Sequence, residues 1–588
     1  MSQQIPSVLS SSPGSVSDTY PSVSASMLDA PPEPTQHALV IGCGIAGMAA
    51  AKVLSRYFSR VTILERDQLP DQPKFRAGKP QARHAHVLLA KGLMDLEAIF
   101  PGLGVDLRQH GATKCQWGPD TRWYYFGGWR QRFPAAVSTV TCSVNLIEWE
   151  LRRRIQQVAA IRILADTTAE ELLAEGPRVV GVRAAQHRTG RGQKQLELRG
   201  VMVVDATGRR SMAPEWLNKL GIGPIPEEKV EAFWGYASRY YERPSRASKS
   251  WRMMAIHPTP PDSLRMGVIL PTENNLWLVT LAGTNRDYPP DDDLGFLEFA
   301  RGLAQPDLYV AIRDAKPVSG IYGYRYAENR WRHFERQERF LEGFVALGDA
   351  ACQFNPIYGQ GMSVAAMGAA CLNRCLRANL SRHPNRSLLG LSRKFQSSLA
   401  RDLTVPWMIT TGEDLRFAKP EVLAQRSLFT RASQAMVKSI LELATTDFQA
   451  FRSFVMVMHL VASPLRLLNP WLVLKVILHA LFTPRRTPPP RPVRVPAAAL
   501  PPALNSRAKS GEAWHPVTDP SGMSSFVSGP LPRMSPSAQS GPSGLHPPSA
   551  GTPSQLPVRP SARTPLQLPV RPSAAIPLQL PVSRRTPK

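Results

Sequence analysis

The chain has 588 residues, enough for two or three domains, and a formal net charge of +26. Residues 484–588 hold 13 Lys and Arg against 2 Asp and Glu, a net +11, and no recognition-helix, zinc-finger or RNP signature occurs, so specific nucleic-acid binding is not expected. The sequence shows no secretory signal and no uncharged apolar run of the ~20 residues that span a bilayer. Its six cysteines form no CxxC pair and no metal-type spacing with His, so a cytoplasmic protein with reduced cysteines and no metal is expected.

A glycine-rich turn follows the first predicted strand. His37–Asp67 (HALVIGCGIAGMAAAKVLSRYFSRVTILERD) is predicted to fold as strand, tight turn, helix and strand. Gly42 permits the turn, Gly44 lets a pyrophosphate approach the backbone, and Gly47 allows close packing of helix and strand. Glu65, at the end of the second strand, is placed to accept hydrogen bonds from a ribose diol. This arrangement predicts a dinucleotide site, but its spacing does not distinguish NAD from FAD.

Two further strand-to-turn segments favour FAD. They are VMVVDATGRRS (201–211) and GFVALGDAACQFNPIYGQGMSVAA (343–366). In the second, Pro356 stiffens the chain, and Gly359 and Gly361 expose backbone N–H groups at the start of a helix. A simple dehydrogenase has no use for three such sites, whereas the long FAD molecule needs separate contacts for its ribityl and isoalloxazine parts.

The sequence resembles the FAD-dependent aromatic-hydroxylase and epoxidase superfamily, which contains para-hydroxybenzoate hydroxylase, squalene epoxidase and the polyprenyl-methoxyphenol hydroxylases. Within it, the chain is most similar to a bacterial branch that includes polyether-type epoxidases. The resemblance extends from about residue 37 to 481. It depends on GCGIAG (42–47), KPQARHAHVLLAKG (79–92), DATGRRSMAPEWLNKLG (205–221) and GDAACQFNPIYGQGMSVAA (348–366).

The resemblance implies a role for several residues. Asp349 would bind the ribityl chain or ribose, and Pro356 would lie near the flavin ring. The backbone of Gly359–Met362 would contact the N1–C2=O edge, where a helix N-terminus stabilises the negative charge of reduced flavin. Arg83 would lie near the cofactor, and Asp205–Gly208 would contact both FAD and the reduced nicotinamide. The expected cofactor-binding residues are Gly42, Gly44, Gly47, Glu65, Arg66, Arg83, Asp205, Gly208, Asp349, Pro356, Gly359, Gly361 and Met362.

One segment departs from the family pattern. The family often has Ser-Arg-x-x-Leu-Glu where this chain has SVNLIE (143–148), without the arginine. No cofactor contact is therefore expected there, and Glu148 and Arg152 are predicted to form an i, i+4 helical pair.

The region between the second and third segments is predicted to be a substrate domain. RMGVILPTENNLWLVTLAG (265–283) reads as a hairpin with an Asn-Asn turn, FWGYASRYYERP (233–244) as a strand, and DLGFLEFARGLA (293–304) as a helix capped by Asp293. One or two of its six large aromatic residues are expected to line a pocket, and the rest to lie in the core. The six are Trp234, Tyr236, Tyr240, Tyr241, Trp251 and Trp277.

No catalytic base is predicted. His84 and His86 are interpreted as hydrogen-bonded histidines at a helix end rather than as a pH-sensitive pair, and Tyr358 either borders the active site or packs in the core. By the resemblance, reduced flavin would react with O₂ to give a C4a-hydroperoxide, which transfers oxygen to an alkene without a protein base and to a phenol with the help of one.

The last apolar segment allows two interpretations. Asn469 and Pro470 are a good N-cap and N1 pair for a helix through Phe482, apolar on nearly all sides except at Lys475 and His479. This helix either packs on the catalytic domain or dips into a membrane surface to collect a lipophilic substrate. The basic tail that follows would suit an anionic leaflet.

The sequence as a whole predicts an α/β flavoprotein. Its Rossmann-type FAD-binding domain is interleaved with a mixed-sheet substrate domain and followed by C-terminal helices and a Pro-rich disordered tail. The expected function is an NAD(P)H- and O₂-dependent monooxygenase that epoxidises or hydroxylates a hydrophobic polyketide, isoprenoid or aromatic substrate. The alternative is a flavin-dependent reductase of isoprenoid double bonds, similar to geranylgeranyl reductases. A halogenase is disfavoured because the WxWxIP signature is missing, and an adaptor without catalysis because GxGxxG and Gly348-Asp349 are intact.

The predicted boundaries follow these changes in pattern. They are a disordered N-terminus at 1–36, a first FAD-binding part at 37–225 with a substrate-facing insert at about 110–140, a substrate domain at 226–335, a last FAD-binding part at 336–380, C-terminal helices at 381–483 and a disordered basic tail at 484–588.

Overall fold

The structure is a computed structural model that describes residues 36–482, apart from 77, 135–136, 189–191, 246–249, 261, 384, 386 and 419–425. The two predicted disordered ends, 1–36 and 484–588, therefore lie outside the described residues except for Gln36.

The described strands and helices are numbered here in chain order. The strands are β1 His37–Ile41, β2 Arg60–Leu64, β3 Thr113–Trp117, β4 Thr121–Tyr125, β5 Gly128–Trp129, β6 Val137–Thr141, β7 Ile161–Leu164, β8 Thr167–Glu175, β9 Arg178–Arg188, β10 Gly192–Arg199, β11 Met202–Asp205, β12 Glu227–Glu242, β13 Met253–Ile256, β14 Arg265–Thr272, β15 Leu276–Gly283, β16 Tyr322–Arg332, β17 Phe344–Ala346 and β18 Cys352–Gln353. The α-helices are α1 Ile45–Leu54, α2 Ala90–Ile99, α3 Leu103–Gln109, α4 Val144–Gln156, α5 Ala213–Lys219, α6 Asp293–Arg301, α7 Asp307–Ile312, α8 Gly361–Arg382, α9 Leu391–Asp414, α10 Leu428–Leu443, α11 Phe448–Met458 and α12 Pro470–Phe482.

A five-stranded parallel sheet organises the first predicted domain. Its order is β17-β11-β1-β2-β7, with β1 at the centre and in parallel register with β2 and β11. The central strands are short, apolar and buried, as strands of a parallel sheet covered on both faces should be. Because the strands run parallel, the turns after β1, β11 and β17 all leave the same edge of the sheet. The three glycine-containing segments therefore meet although they lie far apart in the sequence.

An eight-stranded mixed sheet forms a second layer, in the order β18-β16-β12-β15-β14-β13-β4-β5. The predicted hairpin is confirmed: β14 and β15 pair antiparallel, and Asn274 and Asn275 between them have φ values of +59° and +56°. The predicted strand at 233–244 is the second half of β12, which begins earlier, at Glu227. The sheet also takes in β4 and β5, from the segment predicted as a substrate-facing insert.

Two smaller sheets complete the strands, and the sequence did not indicate either of them. The strands β8, β9 and β10 form an antiparallel meander, and β3 pairs with β6. The meander carries many exposed charged residues.

Two helix starts test the predicted caps. Asn469 Oδ1 accepts hydrogen bonds from Trp471 N and Leu472 N, which confirms the start of α12. The predicted cap of α6 is wrong by one residue, because Asp292, not Asp293, accepts a hydrogen bond from Gly295 N at 2.7 Å. Asp293 occupies the first helical position and pairs instead with Arg239 of β12.

Candidate functional site

The first glycine turn lies between β1 and α1, and packing requires two of its three glycines. Gly42 has a φ of +101°, and a methyl group built on it would lie 2.6 Å from Ala206 O. A methyl group on Gly47 would lie 1.9 Å from Gly42 O. At Gly44 a methyl group would meet only Glu148 Oε1, at 3.7 Å. The turn is therefore closed around Gly42 and Gly47 and open at Gly44.

Glu65 follows β2 and is bonded directly to this turn. Its Oε2 accepts a hydrogen bond from Cys43 N at 2.7 Å, and its Oε1 accepts one from Asp67 N at 3.1 Å. Arg66 is exposed, and its Nε lies 3.8 Å from the Asp67 carboxylate. Of the two neighbouring predicted residues, Glu65 is held against the turn, whereas Arg66 extends into solvent.

Two cations that the sequence did not single out lie near the open side of the turn. Arg76 Nη2 is 2.9 Å from Glu148 Oε2, and Lys79 Nζ forms a second ion pair with the same carboxylate. Arg76 Nη1 also lies 3.4 Å from Glu65 Oε2. Burial alone would raise the pKa of Glu148, but the charges of Lys79 and Arg76 outweigh it and lower that pKa. Lys79 is the first residue of the segment KPQARHAHVLLAKG, and this position is the only sequence signal for the pair.

The predicted helical pair of Glu148 and Arg152 is wrong. Arg152 donates a hydrogen bond to Pro70 O, while Glu148 binds Arg76 and Lys79. Contacts from a distant part of the chain replace the local i, i+4 contact. As a result, α4 presents a buried carboxylate to the first glycine turn.

The three predicted segments come together at one edge of the parallel sheet. Besides the contact of the first turn with Ala206, a methyl group on Gly348 would lie 2.8 Å from the side chain of Ala46. Methyl groups on Gly208 and Gly361 would lie 4.0 Å from Asp349 Cβ and 3.8 Å from Asp349 Oδ1. Asp349 therefore lies between the second turn and the start of α8.

Asp205, the last residue of β11, is fully buried and binds its own turn. Its Oδ1 accepts hydrogen bonds from Thr207 N at 2.9 Å and Thr207 Oγ1 at 2.6 Å, and its Oδ2 accepts one from Ser211 Oγ at 2.5 Å. Burial raises the pKa of Asp205, and these hydrogen bonds oppose the shift. The carboxylate thus shapes the turn that presents Gly208.

Asp349 is in a different electrostatic setting. Burial raises the pKa of its carboxyl, while the positive charges of Lys79, Arg209 and Arg332 oppose the shift. Arg332 donates hydrogen bonds to the carbonyl oxygens that surround Asp349, the one of Ala350 at 3.0 Å. The turn after β17 therefore places one acidic group among three cationic side chains.

The segment after Asp349 is a tight turn that opens directly into a long helix. Pro356–Tyr358 forms one turn of 3-10 helix, and Gly359 follows with a φ of +65°. A methyl group on Gly359 would lie 3.2 Å from Val87 Cβ, so the turn is pressed against residues of the segment 79–92. The helix α8 begins at Gly361, and the side chain of Met362 is buried.

Arg83 ends a short 3-10 helix, Pro80–Arg83, beside the eight-stranded sheet. Its guanidinium lies over the ring of Tyr322 at 4.2 Å and over that of Phe75 at 4.7 Å. Arg83 is thus held by two aromatic faces, a geometry that favours a guanidinium over an ammonium.

His84 and His86 are both neutral near physiological pH. His84 Nδ1 lies 2.8 Å from Ser238 Oγ, and burial lowers the pKa of His84 to about 3. His86 Nδ1 bonds to His84 O, and burial lowers the pKa of His86 to about 4. This supports their interpretation as hydrogen-bonded histidines rather than as a pH-sensitive pair.

A cavity of about 700 Å³ opens beside the Pro356–Tyr358 turn. Its walls are mainly apolar and come from the turn, the eight-stranded sheet, residues 81–89 and the helices α9 to α11. Of the six aromatic residues predicted for the substrate domain, Tyr236 lines this cavity, and the other five are buried elsewhere in the core. The side chains that face it include Trp117, Trp123, Tyr125, Tyr236, His257, Met266, Tyr324, Ile357, Tyr358, Gln360, Met408, Phe429, Met436, Phe454, Leu465 and Leu468.

A buried carboxylate that the sequence did not indicate lies behind this cavity. Asp414, the last residue of α9, accepts hydrogen bonds from Tyr358 Oη at 2.6 Å, Asn329 Nδ2 at 2.6 Å and Trp234 Nε1 at 2.9 Å. Burial raises the pKa of Asp414 to about 6, although the hydrogen bonds oppose the shift. Because Tyr358 lines the cavity, this carboxylate is linked to the cavity through one hydroxyl.

The edge of the parallel sheet at which the three segments meet, called the convergent edge below, fits a dinucleotide with a redox-active ring. The N-cap residues of α1 and α8, Gly44 and Gln360, make no side-chain capping bond, so the first backbone N–H groups of both helices have no side-chain cap. A methyl group on Gly44 or Gly361 would meet a single carboxylate oxygen within 4 Å. Two helix N-termini with open backbone surfaces suit a pyrophosphate and the anionic edge of a ring.

Comparisons with known proteins agree with this geometry. The family described as "FAD binding domain" matches residues 35–393. Protein Rv3254 from Mycobacterium tuberculosis is 31% identical over 395 residues, which cover 65% of this chain and 81% of that protein. A kynurenine 3-monooxygenase from Salinispora arenicola is 26% identical over 396 residues, 65% of this chain and 80% of that enzyme.

Solved structures show the same fold. The p-nitrophenol 4-monooxygenase PnpA from Pseudomonas putida superposes with a TM-score of 0.51 at 16% identity, covering 73% of this chain and 99% of that one. A flavoprotein/dehydrogenase from Cytophaga hutchinsonii superposes with a TM-score of 0.52 at 14% identity, covering 76% and 97% of the two chains. At these identities the likeness concerns the fold alone.

Proposed function

We propose a function on the premise that the chain belongs to the FAD binding domain family, within the superfamily of FAD-dependent monooxygenases, and has FAD as its cofactor. The proposal is that NAD(P)H reduces the bound FAD and that one oxygen atom of O₂ enters a hydrophobic substrate, by hydroxylation or epoxidation. A polyketide, an isoprenoid and an aromatic compound are the substrate classes considered. The kynurenine 3-monooxygenases among the relatives support oxygen transfer as the reaction type.

The contacts at the convergent edge support a residue-level proposal for the adenosine half of FAD. The pyrophosphate would lie at Gly44 and the N-terminus of α1, with Glu65 on the ribose. Arg76 and Lys79, both held by Glu148, would supply positive charge beside the phosphates. We also propose that the exposed Arg66 contacts the solvent-facing edge of the adenosine half of FAD.

The third segment would hold the flavin half. Asp349 is proposed to bind the ribityl chain, Pro356 to lie near the ring, and the backbone of Gly359–Met362 to contact the N1–C2=O edge. Gly208 would lie against the ribityl side, because Asp205 uses its carboxylate within its own turn. Arg83 is proposed as a cation near the ring, on the side of Tyr322.

The single observation that carries the function is the position of the apolar cavity. It is bounded by Pro356–Gln360, the turn assigned to the flavin ring, and by Tyr236 and Thr280 of the substrate-side sheet. A volume of about 700 Å³ accommodates a drug-sized molecule. A substrate in this cavity would lie directly against the proposed ring site.

The chain's own residues then have definable tasks. FAD supplies hydride acceptance from the nicotinamide and the reaction with O₂. The N-terminus of α8 would stabilise negative charge on the pyrimidine edge of the flavin. Trp117, Trp123 and Phe454 line the cavity and would exclude water from it, which protects reactive intermediates from hydrolysis.

The domain boundaries predicted from the sequence are also proposed here. The parallel sheet with its covering helices corresponds to 37–225 and 336–380, the eight-stranded sheet to 226–335 with strands from the insert at 110–140, and the C-terminal helices to 381–483. The cavity lies where all three meet, which is where ligand sites commonly form.

We further propose that the mouth of the cavity contacts a lipid surface. The cavity-lining residues Phe429, Leu465 and Leu468 are also exposed, by 68%, 72% and 56%. On the neighbouring α12, Leu472 and Val476 pack inward, whereas an apolar group made of Trp471, Leu474, Ile477, Leu478, Leu481 and Phe482 faces solvent. Arg485, Arg486, Arg491 and Arg494 follow α12 in the sequence without an intervening acid. An apolar surface that is continuous with the cavity and is followed in the sequence by cations fits a bilayer with anionic lipids.

No helix in the described part of the chain is long and apolar enough to cross a membrane. The membrane contact that we propose is peripheral.

Anaerobic reduction distinguishes the proposed monooxygenase from the alternative predicted from the sequence, a reductase of isoprenoid double bonds. Full-length protein loaded with FAD should be reduced by NADPH or NADH without O₂. Admission of O₂ in the presence of a substrate should give a product heavier by one oxygen atom. A product that instead gains two hydrogen atoms without O₂ would identify an isoprenoid reductase, and a protein that does not retain FAD would refute both.

Vesicle sedimentation tests the lipid contact. Full-length protein should sediment with vesicles of phosphatidylcholine and phosphatidylglycerol, and Leu465→Glu combined with Trp471→Glu should abolish this. Leu389→Glu, at an exposed leucine outside the patch, is the matched control and should sediment normally. Equal sedimentation of both variants, or a dimer in solution that only the double variant disrupts, would overturn the lipid proposal.

A further inference from the structure

We propose that Asp414 determines substrate specificity by turning the hydroxyl protons of Tyr358 and Tyr236 away from the cavity. This wall then offers hydrogen-bond acceptors, so the preferred substrate carries an O–H or N–H donor at the end nearest the proposed flavin site. The inference rests on the proposed function, because it concerns the same cavity and names a chemical class of substrate for it.

Asp414 accepts every hydrogen bond in its surroundings from neutral donors. Four side chains from three separate elements reach it: Trp234 from β12, Asn329 from β16, and Asn355 and Tyr358 from the two sides of the turn before α8. The donor-to-oxygen distances are 2.9 Å from Trp234 Nε1, 2.6 Å from Asn329 Nδ2, 3.2 Å and 3.3 Å from Asn355 Nδ2, and 2.6 Å from Tyr358 Oη. A carboxylate has no proton to give, so each of these contacts must be a donation to it.

The orientation of the Asn355 amide follows from this rule. Its Nδ2 donates to both oxygens of Asp414, which leaves Oδ1 on the other side. Oδ1 accepts a hydrogen bond from Ile357 N at 3.3 Å and one from Tyr236 Oη. Asn329 is fixed in the same way, because its Oδ1 accepts from Asn355 N at 2.8 Å while its Nδ2 faces Asp414. The single carboxylate therefore sets the direction of every hydrogen bond in this network.

The consequence for the cavity is a wall of acceptors. Tyr358 and Tyr236 both line the cavity, and each has committed its one hydroxyl proton to the network behind the wall. Burial and the charge of Asp414 raise the pKa of both tyrosines well above its usual value, so the hydroxyls keep their protons. Each hydroxyl oxygen can therefore still accept a hydrogen bond from a ligand through a free lone pair.

The neighbouring ion pair does not disturb this polarity. Glu413 and Arg416 also line the cavity, but Glu413 binds Arg416 at 2.9 Å and accepts from Tyr125 Oη, and Arg416 donates to Gln434 O. The polar groups of Glu413 and Arg416 therefore already have partners within the protein. Selection for a ligand donor beside the Pro356–Tyr358 turn therefore belongs to the network of Asp414, whereas the indole N–H groups of Trp117 and Trp123, unpaired among the described residues, would favour an acceptor elsewhere on the ligand.

Paired probes that differ only in a donor test the inference. The binding of 1-naphthol and of 1-methoxynaphthalene to FAD-loaded full-length protein is measured at pH 8 by flavin absorbance and by calorimetry. The wild type should bind the naphthol at least about tenfold more tightly than the ether, because the ether leaves buried acceptors unpaired. This preference should fall below about threefold in Tyr358→Phe, which loses one acceptor. It should also fall in Asp414→Leu, which leaves the Tyr358 hydroxyl without an acceptor behind the cavity wall, so that its proton points into the cavity.

Asp402→Asn is the matched control, because Asp402 lies on the same helix but pairs with the exposed Arg374 at 2.5 Å. It should keep the wild-type preference. Equal binding of the two probes by the wild type, binding of neither at millimolar concentration, or an unchanged preference in Tyr358→Phe would overturn the inference. Reduction by NADPH is recorded on the same samples, so that failure of the monooxygenase proposal appears as loss of flavin reduction and stays distinct from loss of probe selectivity.

Discussion

Replacing Gly44 with alanine should separate FAD binding from folding. Gly44 has a φ of −87° and a ψ of −175°, an extended conformation that any residue adopts. A methyl group there would meet only Glu148 Oε1, at the ordinary contact distance of 3.7 Å. The folded apoprotein should accept the methyl group without strain, while the unfolded chain loses conformational freedom. We therefore expect the free energy of unfolding of the apoprotein to stay constant or rise by about 0.4–1 kcal/mol.

The affinity for FAD should fall in the same variant. The methyl group would occupy the open backbone surface where we place the pyrophosphate. A hydrogen bond to a charged group contributes about 1.5–3 kcal/mol, so the loss of one predicts binding that is about 10- to 150-fold weaker. Titration of the apoprotein with FAD, followed by quenching of flavin fluorescence, measures this change.

Gly42→Ala is the contrasting variant in the same turn. The φ of Gly42 is +101°, and a methyl group would lie 2.6 Å from the backbone oxygen of Ala206, which cannot easily move. This variant should lower the stability of the apoprotein in urea unfolding, whereas Gly44→Ala should not. If Gly44→Ala unfolds as readily as Gly42→Ala, or binds FAD as tightly as the wild type, the assignment of Gly44 to the pyrophosphate is wrong.

Three further changes have measurable outcomes. The pKa of Asp414 is about 6 in the folded protein and 3.8 ordinarily, so between these values the folded state binds a proton that the unfolded state has lost. The unfolding free energy of the wild type should therefore fall by about 2 kcal/mol from pH 4 to pH 7 relative to Asp414→Asn. Equal pH slopes in urea unfolding of the two proteins would contradict this. Glu148→Gln removes the carboxylate shared by Arg76 and Lys79, so the apoprotein should lose about 3 kcal/mol of stability, and an unchanged urea midpoint would show that the two cations find other partners. Phe451→Ala empties a buried ring site between aromatic neighbours and should cost about 3–5 kcal/mol, measured by thermal unfolding. A shift of the melting temperature below about 1 °C, which is about 1 kcal/mol for a folded unit of this size, would mean that the core closes over the space.

The sequence predicts the features that depend on local backbone geometry. The first glycine turn follows from Gly42 and Gly47, which no larger residue replaces without a clash, and these residues lie within one strand-turn-helix unit. The hairpin of β14 and β15 follows from Asn274 and Asn275, which tolerate a positive φ. The errors arise where a distant partner competes with a near one, as when Pro70 O rather than Glu148 takes the guanidinium of Arg152.

The hydrogen-bond network of Asp414 behind the cavity could not be predicted from local sequence patterns. The hydrogen-bond partners of Asp414 lie between 56 and 180 positions away in the sequence. Asp414 itself is the last residue of the helix α9. Nothing in its neighbours marks it as buried, because burial is set by β12, β16 and the turn before α8 meeting at the end of α9. By contrast, the apolar residues around it could be recognised as core from their type alone. The residues of the parallel sheet that would hold a cofactor can be recognised from short motifs. The proposed selection of a substrate donor depends instead on one acid, which is buried only because three distant segments pack around it.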